Sequence, residues 1–198
     1  GNAESIHQNF GTPLTEKGRS QCLVIADRCE KFPLDVIISS TMTRTQETAK
    51  IISRKIKKRI EYSGLFVECR RPKEQIGKSM KSPETLKIGK AIQENFHIPG
   101  FRFSDEENFE DLKKRAQKAL QYLEKKSEEN ILVVTHGFFM RVLVAFIIFG
   151  KDITSYECEK FMRKIHMKNT GITVFHLEEK DKKPIWSLWI WNDHAHLS

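Results

Sequence analysis

Two apolar runs separated by a His-Gly pair dominate the hydrophobic pattern of the chain. The first, residues 131–135, is short and rich in β-branched side chains, as in a strand covered on both faces. The second, residues 138–149, is long enough for a buried helix. The pattern therefore predicts a strand, then His136-Gly137, then a helix. Such junctions in open α/β sheets collect ligands, and anions in particular.

Residues 131–150 are also about as long as a membrane span. However, His136, Gly137 and Arg141 interrupt the run, and the remainder of the chain is rich in charge. These features favour a core strand and helix over a span.

Amphipathic helices alternate with short buried strands along the whole chain. Thr15 is a candidate N-cap for the first helix, and a capping box in residues 104–107 opens a long amphipathic one. The first helix buries a stripe formed by Cys22, Leu23, Ile25, Ala26 and Cys29. We predict helices over residues 16–32, from within 40–48 to about 58, over 83–96, after 104–107 and over 157–166. We predict strands over 35–39, 131–135, 172–177 and 185–191.

This alternation predicts an α/β protein with a mostly parallel central sheet and helices on both faces. The last two predicted strands are joined by a charged turn over residues 178–184. We expect them to form an antiparallel hairpin at the C-terminal end.

Composition indicates one globular domain over residues 1–198, because a chain that is 39% hydrophobic and 30% charged can bury a substantial core. The first residues are polar and do not resemble a signal peptide. Four cysteines show neither CxxC pairing nor zinc spacing, which favours reduced thiols in a cytoplasmic protein.

The net charge of +8 favours anionic partners. The basic residues are dispersed, and no RNA-binding signature or DNA-reading helix accompanies them. We therefore expect neither nucleic acid nor membrane as a partner. A basic nucleic-acid binder, whose affinity would fall steeply with salt, is the weak alternative.

Charged side chains follow two of the predicted strands, Arg44 after the first and His136 after the other. The ordered motifs around them resemble the histidine phosphatase superfamily, also called phosphoglycerate mutase-like, over nearly the whole chain. These motifs are Leu14-Thr15-Glu16-Lys17-Gly18-x-x-Gln21, Ser40-x-x-x-Arg44-Thr45-x-x-Thr48-Ala49, Thr135-His136-Gly137 and Asn169-Thr170-Gly171-Ile172-Thr173.

The resemblance implies phosphomonoester hydrolysis through a phosphohistidine intermediate. The family's nucleophile is the histidine of an Arg-His-Gly motif that ends the first strand, and Gly1 matches the glycine of that motif. The nucleophile, its arginine and the first strand would then precede Gly1. A chain that began at Gly1 would lack them and be inactive.

The resemblance also assigns roles to residues of this chain. Arg44 would bind the phosphoryl oxygens with its planar guanidinium, helped by Asn2 and by the backbone at Gly137. His136 would stabilise charge in the transition state. Glu68 would be the general acid and base, with Glu74 as the alternative. Neither a metal ion nor another cofactor is implied, and residues 62–103 would cap the pocket.

Four questions stay open at the level of sequence: mutase activity, loss of turnover, the ligand and the oligomeric state. A mutase would carry out phosphoryl transfer on the same scaffold, but residues 2–10 do not resemble the mutase segment. A catalytically inactive phosphate-binding or scaffold protein would keep the pocket without turnover. The expected ligand is a small phosphorylated metabolite or another phosphomonoester, and the protein is expected to be a monomer or a homodimer, with a dimer contact at Trp186, Trp189 and Trp191.

Overall fold

Three short parallel strands form the central sheet of the computed structural model, which describes residues 6–197. They are β1 (Val36–Ser39), β2 (Ile60–Tyr62) and β3 (Ile131–Val134), in the order β2-β1-β3. Ser39 at the end of β1 lies opposite Tyr62 on one side and Val134 on the other. The carboxyl ends of all three strands therefore meet at one edge of the sheet.

The helices pack on both faces of this sheet. Ile37 of β1 lies in a core cluster with Ile25 and Ile52, whereas the next residue, Ile38, lies in a second cluster with Leu112 and Leu143. Successive side chains of a strand point to opposite faces, so each face has its own helical cover. The helices are α1 (Glu16–Cys29), α2 (Thr43–Ile56), α3 (Pro83–Asn95), α4 (Phe109–Glu124), α5 (Gly137–Phe149) and α6 (Ser155–Lys164).

The predicted fold class is confirmed, including the C-terminal hairpin. Its strands are β4 (Ile172–Lys180) and β5 (Lys183–Asp193), and they pair antiparallel. The predicted turn over residues 178–184 is too long, because Asp181 and Lys182 both have positive φ and close a two-residue turn. Within residues 6–197 no helix is long and apolar enough to cross a membrane.

The start of the long helix differs from the prediction. Asn108, not a residue of 104–107, caps α4 and forms a capping box with Asp111. Glu107, whose carboxylate would complete a box with Ser104, instead accepts the N–H of Arg70 and pairs with Arg115. The carboxylate of Glu106 accepts the N–H groups of Phe103 and Ser104, which closes a turn before the helix. A capping-box pattern can therefore lie in a loop when its carboxylate finds other partners in the fold.

The first helix agrees with the prediction at its start and departs from it later. The Thr15 hydroxyl accepts the N–H of Gly18, as expected of an N-cap. The helix ends at Cys29 rather than near residue 32. Leu23 was wrongly placed in the buried stripe, since it is 61% exposed, whereas the other four members are buried.

The two leucines Leu112 and Leu23 provide a matched test of this core. We expect Leu112→Ala, at a fully buried site on α4, to lower the free energy of unfolding by about 2–5 kcal/mol through lost burial and a cavity. Leu23→Ala on α1 should change it by no more than about 0.5 kcal/mol. Urea denaturation of both variants measures the difference, and equal losses would contradict this assignment of core and surface.

Candidate active site

Each strand of the sheet delivers one charged or titratable side chain to its carboxyl edge. Arg44 stands in the first turn of α2 after β1, His136 immediately precedes α5 after β3, and Glu68 follows β2 in a loop. The strand pairing continues one step further at this edge, because the N–H of Ser40 donates to the carbonyl of Val134 at 2.9 Å. The parallel register thus brings together residues that are far apart in sequence.

Arg44 and His136 are in direct contact and both are buried, with 8% and 7% of their surfaces exposed. Nη2 of Arg44 lies 3.1 Å from Nδ1 of His136. A guanidinium can only donate, so Nδ1 accepts and the imidazole proton lies on Nε2. Nε2 then donates to Oγ of Ser40 at 2.9 Å. The sequence motif contains Ser40, but its role as the partner of His136 was not predicted.

His136 is a neutral imidazole. Burial, reinforced by the Arg44 cation, lowers the pKa of His136 from 6.5 to about 2. Burial also lowers the pKa of Arg44 from its ordinary value of 12.5, yet a guanidinium stays protonated in proteins. The pair therefore consists of a fixed cation beside a neutral hydrogen-bond donor.

The remaining contacts of Arg44 are also uncharged. Nη1 donates to the carbonyl of Asn9 at 3.4 Å, and Nη2 lies 3.4 Å from the thioether sulfur of Met42. Among residues 6–197, no carboxylate forms an ion pair with Arg44. Asn2, the other residue predicted to bind phosphate, lies outside the described residues.

The Glu68 side chain lies against the amino end of α5, the helix that begins directly after His136. Its Oε2 accepts the N–H of Phe138 at 3.3 Å, and its Oε1 accepts the N–H groups of Phe139 at 3.0 Å and of Cys69 at 2.9 Å. The backbone N–H of Glu68 also contacts Sδ of Met42 at 3.5 Å, the same sulfur that Arg44 touches. The structure therefore brings Glu68 together with Arg44 and His136.

The helix amino ends are less available to an anion than the sequence indicated. Glu68 occupies two N–H groups in the first turn of α5, where the helix dipole favours a carboxylate. At α2, the N–H of Thr43 donates to the carbonyl of Phe10. Gly137 keeps its N–H without a partner among the described residues, and a Cβ added there would meet nothing within 4 Å. Its predicted contact with phosphate stays a prediction.

Glu74, the alternative acid, lies in different surroundings. One of its carboxylate oxygens accepts a hydrogen bond from Oγ of Ser104 at 3.0 Å, and the other is buried with no partner among residues 6–197. Its hydrogen bond leads to the loop before α4 rather than to Arg44 or His136.

None of these three side chains lines the open cleft of about 420 Å³ that the structure contains. Its charged groups partly satisfy one another, since Arg102 pairs with Asp111 and Nε of Arg70 donates to the carbonyl of Asp105. We therefore locate the candidate site at the sheet edge and not in this cleft. The cleft is lined by Arg70, Arg102, Asp105, Glu107 and Asp111. Within the described residues, no three His, Cys, Asp or Glu side chains are grouped to hold a metal ion.

The fold and site define an α/β protein that gathers a cation, an imidazole and a carboxylate at the carboxyl edge of a parallel sheet. Residues 1–193 match the model of the histidine phosphatase superfamily (branch 1), and the chain belongs to that family. No curated protein matches the chain in a sequence comparison.

Solved structures, among them two phosphatases, share this fold. The native mycobacterial glucosyl-3-phosphoglycerate phosphatase has a TM-score of 0.80 at 18% identity, covering 98% of this chain and 94% of its own. YhfR of Bacillus stearothermophilus has a TM-score of 0.79 at 23% identity, covering 100% and 93%. The alpha-ribazole phosphatase of Shigella flexneri has a TM-score of 0.74 at 18% identity, covering 97% and 90%. At these identities the likeness concerns the fold.

The neutral state of His136 predicts how stability depends on pH. Below pH 6.5 the His136 imidazole is protonated in the unfolded state, whereas in the native state it stays neutral down to about pH 2. The unfolded state then binds more protons, so the free energy of unfolding falls as the pH falls. In the unmodified protein we expect the free energy of unfolding to fall more steeply with decreasing pH than in His136→Gln, by up to about 1.4 kcal/mol per pH unit. Urea denaturation at a series of pH values below neutrality measures both slopes, and equal slopes would refute a neutral buried imidazole.

Proposed function

We propose that this protein hydrolyses phosphomonoesters through a phosphohistidine intermediate, without a metal ion. The attacking histidine lies just before Gly1 in the natural chain, as the family's Arg-His-Gly motif implies. Arg44 binds the phosphoryl group, His136 stabilises its developing charge, and Glu68 transfers the protons. Asn2 and Gly137 contribute further contacts to the phosphate.

The observation that supports this proposal most strongly is the buried charge of Arg44. A charge removed from water is costly unless an opposite charge compensates it. Yet the described partners of Arg44 are an imidazole, a carbonyl and a thioether. The Glu68 carboxylate acts on this cation only through space, without a contact. A phosphoryl dianion would supply a counter-charge in direct contact, and the planar guanidinium suits two of its oxygens. A structural arginine would be expected to have a carboxylate here.

In the first step, the attacking imidazole forms a nitrogen–phosphorus bond as the bond from phosphorus to the ester oxygen breaks. Glu68 gives its proton to the departing oxygen. Oε2 suits this task better than Oε1, because it accepts a single N–H at 3.3 Å whereas Oε1 accepts two at shorter distances. Nε2–H of His136 donates to a phosphoryl oxygen in place of Ser40.

In the second step, the Glu68 carboxylate takes a proton from a water molecule. The water oxygen bonds to phosphorus, the nitrogen–phosphorus bond breaks, and inorganic phosphate leaves. Glu68 is then protonated again and the attacking histidine is free. The cation of Arg44 and the neutral donor of His136 act on the phosphoryl oxygens in both steps.

The proposed substrate is a small phosphorylated metabolite or a similar phosphomonoester. In support, two of the proteins with this fold are a glucosyl-3-phosphoglycerate phosphatase and an alpha-ribazole phosphatase. Residues 62–103 would cap the pocket. Several basic side chains in this segment already have partners within the protein, so they do not indicate the charge of the substrate. Arg70 donates to Asp105, and Lys78 pairs with Glu84. We further propose a cytoplasmic monomer or homodimer.

Arg44→Ala and His136→Ala test the phosphate site in the natural full-length protein. We expect each to reduce hydrolysis of p-nitrophenyl phosphate at least about 100-fold, because each removes a group that stabilises the transition-state charge. The assay contains no divalent metal, and vanadate should inhibit the unmodified protein. Arg54→Ala, at an exposed position of the same helix α2, is the matched control and should keep full activity.

Full activity in both site variants would overturn the proposal. Tight phosphate or vanadate binding by the unmodified protein without any turnover would replace it with the phosphate-binding scaffold. An N-terminal read of the natural protein that shows no histidine before Gly1 would exclude the proposed nucleophile.

Glu68→Gln tests the proton donor through the choice of leaving group. An alkyl phosphate needs a proton on its departing oxygen, whereas p-nitrophenolate departs readily without one. We expect kcat/KM to fall at least about 100-fold more for the alkyl ester than for p-nitrophenyl phosphate. Glu74→Gln should leave the ratio of the two kcat/KM values unchanged, and the opposite pattern would assign the role to Glu74.

A further inference from the structure

The loop that carries Glu68 is bound along its backbone by side chains from distant elements. Nη1 of Arg115, on α4, donates to the carbonyls of Leu65 at 3.2 Å and Val67 at 2.7 Å. Oγ1 of Thr135, at the end of β3, donates to the carbonyl of Phe66 between them at 2.7 Å. Three consecutive carbonyls before Glu68 are therefore each held by a side chain. A surface loop would normally leave such groups to water.

Glu107 secures both Arg115 and the other end of the loop. Its two carboxylate oxygens accept Nε and Nη2 of Arg115 at 2.8 and 2.7 Å, a bidentate pairing. One of them also accepts the N–H of Arg70 at 2.9 Å, and the N–H of Glu107 donates to the carbonyl of Arg70 at 3.0 Å. The side chains of Arg115 and Glu107 are only 12% and 13% exposed. Water therefore screens this pair little.

Arg115 also touches the helix turn that holds the Glu68 carboxylate. Its guanidinium carbon lies 3.9 Å from the ring centroid of Phe139. The N–H of Phe139 is one of the donors to Oε1 of Glu68. The backbone that leads to Glu68 and the helix turn that receives its carboxylate thus both rest on one guanidinium.

We infer that Arg115 and Glu107 form a positioning pair that sets the location of the Glu68 carboxylate. The inference rests on the proposed role of Glu68 as proton donor. A proton donor must lie within hydrogen-bond reach of the departing oxygen, and a small misplacement reduces the rate strongly. Arg115 itself is not a substrate ligand, because each of its three nitrogens already donates to the loop or to Glu107.

The chemistry of arginine is specific to this arrangement. A guanidinium has five donors in one plane, so it can pair with a carboxylate and two carbonyls at once. A lysine ammonium is a point charge and could keep the ion pair with Glu107 without both carbonyl contacts. Arg115→Lys should therefore preserve much of the fold while releasing the loop.

The test compares p-nitrophenyl phosphate with an alkyl phosphate in Arg115→Met and Arg115→Lys of the full-length protein. In both variants we expect kcat/KM to fall at least about 10-fold more for the alkyl ester than for p-nitrophenyl phosphate, because a misplaced acid protonates the departing oxygen poorly. When either variant is combined with Glu68→Gln, the ratio of kcat/KM between the two substrates should stay close to that of Glu68→Gln alone, because both changes affect the same proton transfer. A smaller folded fraction lowers both activities equally, so the ratio is insensitive to instability.

Arg163→Met is the matched control. It removes an arginine from an exposed ion pair with Glu159 on α6 that does not touch the Glu68 loop. Its kcat/KM ratio should equal that of the unmodified protein. Equal losses on both substrates in the Arg115 variants, with a leaving-group effect in Glu68→Gln, would overturn the positioning pair and leave the proposed function standing. If Glu68→Gln also showed no leaving-group effect, Glu68 would not be the proton donor. The inference about the positioning pair would then be refuted as well.

Discussion

The buried charge of Arg44 is the constraint on which the arrangement of the site depends. The guanidinium sits at the carboxyl edge of the sheet with only neutral hydrogen-bond partners among the described residues. Burying a cation in this way is tolerable only if the fold over-determines its position. Here the pairing of β1 with β3 provides that rigidity, because it fixes Ser40 and therefore His136 beside it.

The same electrostatic logic explains why Glu68 does not pair directly with Arg44. The carboxylate is satisfied by N–H groups of Cys69, Phe138 and Phe139 instead. A direct ion pair would neutralise the cation and make a carboxylate compete with phosphate for it. Holding Glu68 on the end of α5 keeps the proposed proton carrier nearby while Arg44 remains without a carboxylate in contact. The amino end of α5 thus receives a side chain of the protein itself, and in the proposed function the phosphate is bound by side chains and by Gly137.

The sequence predicts this site as far as local pattern and chain order determine it. Periodicity identifies β1, β3 and the two hairpin strands, but not β2, which has only three residues. The positions of Arg44 and His136 just after β1 and β3 suffice to bring these two residues together. The support of Glu68 could not be predicted, because Arg115 and Val67 are separated by 48 positions and no local pattern links them. The capping box at 104–107 failed for a related reason. Glu107 accepts the N–H of Arg70, 37 positions away, and pairs with Arg115, and both contacts depend on three-dimensional surroundings rather than on local spacing.

The two faces of the sheet support different residues of the candidate site. Ile37 faces the cluster of α1 and α2, which carries Arg44, whereas Ile38 faces the cluster of α4, α5 and α6. The second cluster includes Phe139, which packs against Arg115 and supplies an N–H to Glu68. Arg44 is therefore anchored in the first core, whereas His136 and Glu68 depend on α5 and the second core. Since cores are close-packed, a change deep in one face should first disturb the residues anchored in that face. Damage to α4 would then displace Glu68 before it displaces Arg44.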